Sequence, residues 1–257
     1  MAQSSALKKP AWQERWEEIK PAPFRTAVEV LPGLYQVRTK GSSAYLVVDD
    51  DEITLIDTGS PGSGIKILEA MDELGRSPED LKRIVITHYH IDHVGGLAEL
   101  QDWVPAKTGV HLAEAVHVES GEPLPSPFVN PLLAKICAGW LENHGPGRAR
   151  VDEILADGDE LPAFGGMRII HAPGHTAGSI SLYFPQRGVL LVGDAMQYKF
   201  GRLMLPSRVF TQDMTAASES IKKLSRLQFE TLCFSHFRPI LSHADRKVRE
   251  FSRTLEA

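Results

Sequence analysis

The chain has 257 residues, a net charge of −5, 42% hydrophobic and 24% charged residues, the balance of a soluble globular protein with room for one large α/β domain or two small ones. That charge excludes a broad basic nucleic-acid footprint, and no apolar run reaches the roughly 18 residues of a membrane span. Two cysteines, Cys137 and Cys233, cannot build a disulfide framework and are expected as small core residues.

Residues 1–25 read as an N-terminal arm ahead of the main body, 26–257. The arm has no apolar signal-peptide region, so a cytoplasmic protein is expected, acting on a small molecule with neither nucleic acid nor membrane as partner. In WQERWEEI, Trp12 and Trp16 share a helical face at i, i+4, which packs on the body or joins two copies in a homodimer. GLYQVRT and SAYLVVD precede the acidic turn DDDE, and ITLIDTG follows it, which is hairpin punctuation. IKILEAMDELG has apolar residues at helical spacing with Gly75 as its stop. LKRIVITH is a buried strand that runs into a histidine-rich stretch. GGLAELQDWVP predicts a helix, and TGVHLAEAVHVES a short strand followed by a helix.

Residues 118–150 break this pattern. Prolines flank PLLAKICAGWLENHG, an amphipathic helix, and the segment reads as a lid-like helical insertion. Its apolar residues Phe128, Leu132, Leu133, Ile136 and Trp140 are expected to pack on the core, with the lining of a substrate pocket as the alternative. The second half then repeats the plan of the first. MRIIHAPG, SISLYFP and RGVLLVGDA are strands, TAASESIKKLSRL is a helix capped by Thr215 or Ser218, and ETLCFSH is a strand. A strand ending in Asp57, a helix and a strand ending in His88 thus recur as Asp194, helix and His236. DRKVRE near the C-terminus alternates charge and reads as a solvated helix face.

The chemistry concentrates in ITHYHIDHVGG. Residues two apart in extended backbone point the same way, so His88 and His90 can meet one ion. A turn after His90 would aim Asp92 and His93 at a second position, and the glycines let the backbone stay close. Imidazoles and carboxylates suit zinc. Further donors stand at other strand ends: His175 in APGHTAGS, Asp194 after LLVG, and His236 in LCFSHFRP. A carboxylate directly after an apolar strand is costly unless it is paired or metal-bound.

HYHIDH, followed in order by His175, Asp194 and His236 and preceded by Asp57 in LIDTG, resembles the metallo-β-lactamase-fold superfamily over about residues 26–243. The resemblance implies an α/β fold, a four-layer αβ/βα sandwich of two pseudo-repeated halves with its site at one edge of the sheets. It also implies two divalent metal ions, zinc by donor type with iron or manganese open. His88, His90 and His175 would hold one ion, Asp92, His93 and His236 the other, and Asp194 would bridge them. Asp57 would orient the histidine loop by hydrogen bonds. A hydroxide shared by the ions would attack the carbonyl of a small ester, lactone or thioester, with Asp92 also orienting the nucleophile or moving a proton.

Tyr198 is a further catalytic candidate. Lactonase-type members place a phenol near the metals three residues after the bridging aspartate, and here the offset is four. His111, His117, His144, His171 and His243 fall outside the motif and are assigned to surface or pocket lining. Two alternatives stand beside the hydrolase. One is a sulfur dioxygenase of the same fold, with one iron at the positions of His88, His90 and Asp194. The other is a metal-binding domain without catalysis.

Overall fold

The computed structural model describes residues 26–120, 125–136 and 147–255. The N-terminal arm, Cys137, Trp140 and His144 lie outside them. Strands β1 (Ala27–Leu31), β2 (Leu34–Arg38), β3 (Ser43–Val48) and β4 (Ile53–Ile56) form an antiparallel meander. Helix α1 (Gly64–Glu73) crosses to β5 (Leu81–Val85), which runs parallel to β4. Short helices α2 (Ile91–Val94) and α3 (Leu97–Gln101) lead to β6 (Lys107–His111) and α4 (Leu112–Glu119). Strand β7 (Glu153–Leu155) completes a seven-stranded sheet in chain order. The chain continues through β8 (Glu160–Leu161), β9 (Met167–His171), β10 (Ile180–Phe184), β11 (Val189–Leu191), the hairpin β12 (Gln197–Lys199) and β13 (Arg202–Met204), α5 (Met214–Leu224), β14 (Thr231–Cys233) and α6 (Ala244–Arg253). The second sheet has the order β14-β11-β10-β9-β8, and β12–β13 stands apart.

The layering follows from the two-residue period of the strands. On β3, Ala44 and Leu46 join Ile67, Leu68 and Met71 of α1, while Tyr45 and Val47 point the other way and join Ile169, Leu182 and Phe184 of the second sheet. On the second sheet, Ile169 and Leu191 face the first sheet, whereas Ile170 and Leu190 join Ile221 and Leu224 of α5 and Val248 of α6. Helix, sheet, sheet and helix are therefore four layers around three apolar interfaces. The repeat is visible in the pairing: β3–β4 is an antiparallel hairpin with β5 parallel to β4, and β10–β11 is an antiparallel hairpin with β14 parallel to β11.

Gly75 stops α1 as expected. It takes φ +68°, and its N–H donates to the Asp72 carbonyl while that of Arg76 donates to Met71. Cys233 is buried. Other readings are corrected. The cap of α5 is Asp213, whose carboxylate accepts from the N–H groups of Thr215 and Ala216; Ser218 instead donates its hydroxyl to the Met214 carbonyl. Strands β1, β7, β8 and the β12–β13 hairpin add to the expected elements, and most of them are too short to show a period. Residues 131–136 are helical, but Leu132 and Ile136 are each 69% exposed, so this stretch does not pack on the core. The insertion instead meets the body through Phe128, whose ring lies 5.1 Å from that of Phe210, and through the Val129 N–H, which donates to the Val209 carbonyl. No helix among the described residues is long and apolar enough to cross a membrane.

Candidate metal centre

The centre forms where β4, β5, β11 and β14 end. His88 leaves β5 in extended backbone, and His90 is the residue before α2, whose first turn carries Asp92 and His93. The Thr58 N–H and hydroxyl both donate to the His93 carbonyl, at 2.7 and 2.8 Å, pinning this turn to the end of β4. Gly95 is required by close approach, because a Cβ there would collide with the Ile91 carbonyl and the Pro61 ring.

Asp57 organises the first donors. It is buried and sits at φ +58°, a left-handed conformation that a non-glycine residue holds only where its surroundings enforce it. Oδ1 accepts from the Thr87 N–H at 2.8 Å, and Oδ2 accepts from the Thr87 hydroxyl at 2.9 Å and from His93 Nδ1 at 2.8 Å. Thr87 Oγ1, whose own proton goes to Asp57, in turn accepts from His88 Nδ1 at 3.1 Å. His175 directs its Nδ1 at Thr211 Oγ1, 3.3 Å away. The bonds to Thr87 and Asp57 put ring protons on the outer Nδ1 of His88 and His93, and the Nε2 atoms of His88, His93 and His175 face inward.

The inward atoms converge. His90 Nδ1 lies 3.2 Å from His88 Nε2 and 3.0 Å from His175 Nε2. Asp194 Oδ2 lies 3.1 Å from His236 Nε2 and 3.4 Å from His175 Nε2, and its Oδ1 is 3.7 Å from His93 Nε2. Three donor groups each fall within 4.8 Å: His88, His90 and His175; His88, His93 and Asp194; Asp92, His93 and His236. The structure thus brings together all seven side chains singled out as ligands.

Electrostatics fit a cation at this place. Burial, reinforced by the neighbouring imidazoles, holds His88 and His90 well below the ordinary histidine pKa, so both are neutral donors. Burial also lowers His175, against the pull of Asp194. Burial opposes charge on His93 too, but Asp57, Asp92 and Asp194 outweigh it and raise this group to about 10. For Asp194 the burial penalty is overcome by His93, His236 and His175, which hold its carboxyl far below the usual range. His93 Nε2 and Asp194 Oδ1 are buried without a hydrogen-bond partner, a condition costing about 1–3 kcal/mol per group unless something else satisfies it. Converging ligand atoms, orphaned buried atoms and a nitrogen and oxygen donor set all fit divalent ions, which would take the place of the proton that His93 otherwise holds.

Sequence reasoning missed a second organising carboxylate. Glu114, on α4, is 1% exposed. Oε2 accepts from the N–H of Tyr89, between His88 and His90, at 2.8 Å; Oε1 accepts from the Thr176 hydroxyl at 2.9 Å and the Gly178 N–H at 2.6 Å. Glu114 therefore ties the histidine turn to the His175 loop. Burial raises its pKa, opposed by those three bonds. The available signal was its place in α4, on the face that buries Ala115 and Val118.

Tyr198 is not brought to the donors. Its ring stacks on Phe234 at 6.0 Å and lines a separate depression with Arg202, Lys247 and Phe251. Its strand neighbours Gln197 and Lys199 line the cavity beside the centre, of about 280 Å³, with Met196, Phe210, Phe237, His175, Asp194 and His236. Of the remaining histidines, His111 stacks on His171 at 4.2 Å, His117 packs on Tyr89, and His243 precedes α6. A larger depression, about 780 Å³, is lined by residues 49–52, Glu160 and Arg187 and shares no residue with the centre.

A family model for the metallo-beta-lactamase superfamily matches residues 37–236. The chain is 29% identical, over 82% of its length and 86% of the relative's, to the probable metallo-hydrolase YflN of Bacillus subtilis. It is 31% identical, over 83% of its length and 67% of the relative's, to a hydroxyacylglutathione hydrolase of Cereibacter sphaeroides. Among solved structures it is similar to a metallo-beta-lactamase family protein of Thermus thermophilus, with a TM-score of 0.65 and 23% identity, over 89% of this chain and 81% of that one. That likeness bears on the fold alone.

Proposed function

The chain belongs to the metallo-beta-lactamase superfamily, and from that premise we propose that it is a hydrolase with two divalent metal ions, acting on a small ester, lactone or thioester. The observation that carries this reading is the convergence of seven donor side chains, with His93 Nε2 and Asp194 Oδ1 buried and unpartnered. The relative named hydroxyacylglutathione hydrolase makes thioesters the first bonds to try. Zinc suits five imidazoles and two carboxylates.

His88, His90 and His175 would hold one ion, Asp92, His93 and His236 the other, and Asp194 would reach both. Such ions supply an activated water near neutral pH and polarise a carbonyl oxygen. The protein's own groups do the rest. Asp57 and Glu114 fix the histidine turn, so the donors need no rearrangement when substrate arrives. Asp92, half-buried and 3.4 Å from His236 Nε2, would orient the nucleophile or move a proton. The cavity walled by Met196, Phe210 and Phe237 would exclude water from the substrate's apolar part; its volume of about 280 Å³ is at the small end of ligand pockets, which start at roughly 300 Å³.

The test pairs metal content with turnover. Elemental mass spectrometry of protein purified without added metal, and a panel of thioesters, lactones and esters, should give two zinc ions per chain and measurable hydrolysis. Asp194→Ala should abolish hydrolysis and lower the metal content. One iron per chain with no hydrolysis, or a fully active Asp194→Ala variant, overturns the reading.

A further inference from the structure

The apolar residues that the fold leaves outside are not spread evenly. Of thirteen large apolar side chains exposed among the described residues, eight lie in residues 129–136 and 200–210. Clustering of this kind marks a contact site, unlike the single exposed residues of an ordinary surface. The two segments are joined. Phe128 packs on Phe210, and the Val129 N–H donates to the Val209 carbonyl. The first segment exposes Leu132 and Ile136, and the second exposes Phe200 and Met204. Lys199, Ser207 and Phe210 also line the apolar cavity beside the metal centre.

Charge on these segments departs from that of the chain. Residues 125–136 and 195–212 hold no aspartate or glutamate, but they carry Lys135, Lys199, Arg202 and Arg208, all exposed, in a chain with 33 acidic residues against 28 basic ones. An apolar surface carrying only cations is complementary to an anionic one. A second, independent observation concerns the tip of the β12–β13 hairpin. Phe200 and Gly201, the two central residues of its turn, take φ +51° and +75°. A turn with both residues at positive φ favours Asn-Gly, and a bulky residue at its first position is strained. Phe164 holds a similar φ of +58°, but it is fully buried and core packing enforces it. Phe200 is 99% exposed, so no packing within the fold offsets its strain, and such an outlier points to function.

We propose that this face docks on an anionic lipid bilayer. Phe200 enters between the headgroups, Leu132, Ile136 and Met204 rest on the acyl boundary, and the four cations meet the lipid phosphates. A protruding apolar tip flanked by Lys199 and Arg202 suits a deformable lipid surface, whereas the aliphatic residues would gain little from a nucleic acid. A second copy of the chain is disfavoured, because a two-fold contact at this face sets the same four cations against each other. Docking at a bilayer surface needs no spanning helix. It brings Ser207 and Phe210, on the wall of the apolar cavity, towards the lipid boundary. The proposal stands on the surface alone, whatever bond the metal centre cleaves.

The test is co-sedimentation of the full-length, zinc-loaded protein with two kinds of vesicle, phosphatidylcholine alone and phosphatidylcholine mixed equally with phosphatidylglycerol. The protein should bind the mixed vesicles at least about tenfold more tightly, and about 0.5 M salt should remove most of that preference. Phe200→Asn places a favoured residue in the turn, so the fold should hold while binding to the mixed vesicles falls about tenfold. Arg202→Gln/Arg208→Gln should also lower that binding about tenfold and leave the weak binding to neutral vesicles unchanged. In Phe200→Trp, the emission of the added indole, taken as the difference from the unsubstituted protein, should move to the blue with the mixed vesicles. No preference for the anionic vesicles overturns the proposal, as does binding that both variants leave intact. Absence of vesicle binding together with a dimer that Phe200→Asn abolishes would assign the face to a second copy instead. Vesicle binding by a protein without hydrolysis would leave this proposal standing and count against the hydrolase reading alone.

Discussion

The donor group of His88, His90 and His175 is buried, whereas in the group of Asp92, His93 and His236 the outer side chains are 27% and 30% exposed. The first group consists of imidazoles kept neutral by burial and by one another. The second includes a carboxylate and opens, through His236, on the apolar cavity. Enclosure and access are thus divided between neighbouring positions. The enclosed group is organised to retain an ion, and the open group is organised to meet a substrate, while Asp194 and His88 belong to the wall between them.

Removing a ligand from each group breaks this comparison most directly. His175→Ala should abolish turnover and strip the buried position, leaving less than one ion per chain after dialysis. His236→Ala should also abolish turnover but keep about one tightly held ion, because the enclosed imidazoles are untouched. Equal metal loss in the two variants, measured by elemental mass spectrometry, would show that the groups do not differ in retention.

The organising carboxylates sharpen it further. Asp57 supports both groups, through Thr87 to His88 and directly to His93. Glu114 supports the enclosed group alone, through Tyr89 and the His175 loop. Asp57→Asn and Glu114→Gln should each weaken metal binding by about 10–100-fold. An amide at position 114 must turn its NH₂ toward a backbone N–H or the Thr176 hydroxyl, so Glu114→Gln should also destabilise the fold by about 1–3 kcal/mol. Competition with a zinc-sensitive chelator separates the two: Glu114→Gln should weaken the tighter site, and Asp57→Asn both. A Glu114→Gln protein that binds two ions as before would make Glu114 a packing feature.

Asp57 and Glu114 also mark the limit of what the sequence discloses. Asp57 was legible because it ends an alternating strand within a recognisable LIDTG run, and the donors were legible because strands ending in polar residues recur twice in the same order. Glu114 makes an equivalent set of three bonds, yet its partners are 25, 62 and 64 positions away, and its one local mark, the helix face shared with Ala115 and Val118, is too weak to set it apart from a surface glutamate on a short helix. Residues 131–136 show the converse failure. Their helical period was correctly read, but periodicity does not say whether an apolar face has anything to pack against, and here Leu132 and Ile136 are exposed.

The smallest effect is expected at Tyr198. In β12, Gln197 and Lys199 line the apolar cavity, and Tyr198, between them, turns the opposite way to stack on Phe234. The phenol would reach the donors only if the strand slipped by one residue, which would carry Gln197 and Lys199 out of the cavity and undo the pairing of Tyr198 with Leu203. Tyr198→Phe keeps the ring and its packing, so kcat should stay within about twofold and stability within about 0.5 kcal/mol. A loss of about a hundredfold in kcat, with KM unchanged, would mean that the hydroxyl acts in the transition state. The β12–β13 hairpin would then have to change register on binding substrate, and the wall of the apolar cavity would have to be redrawn with it.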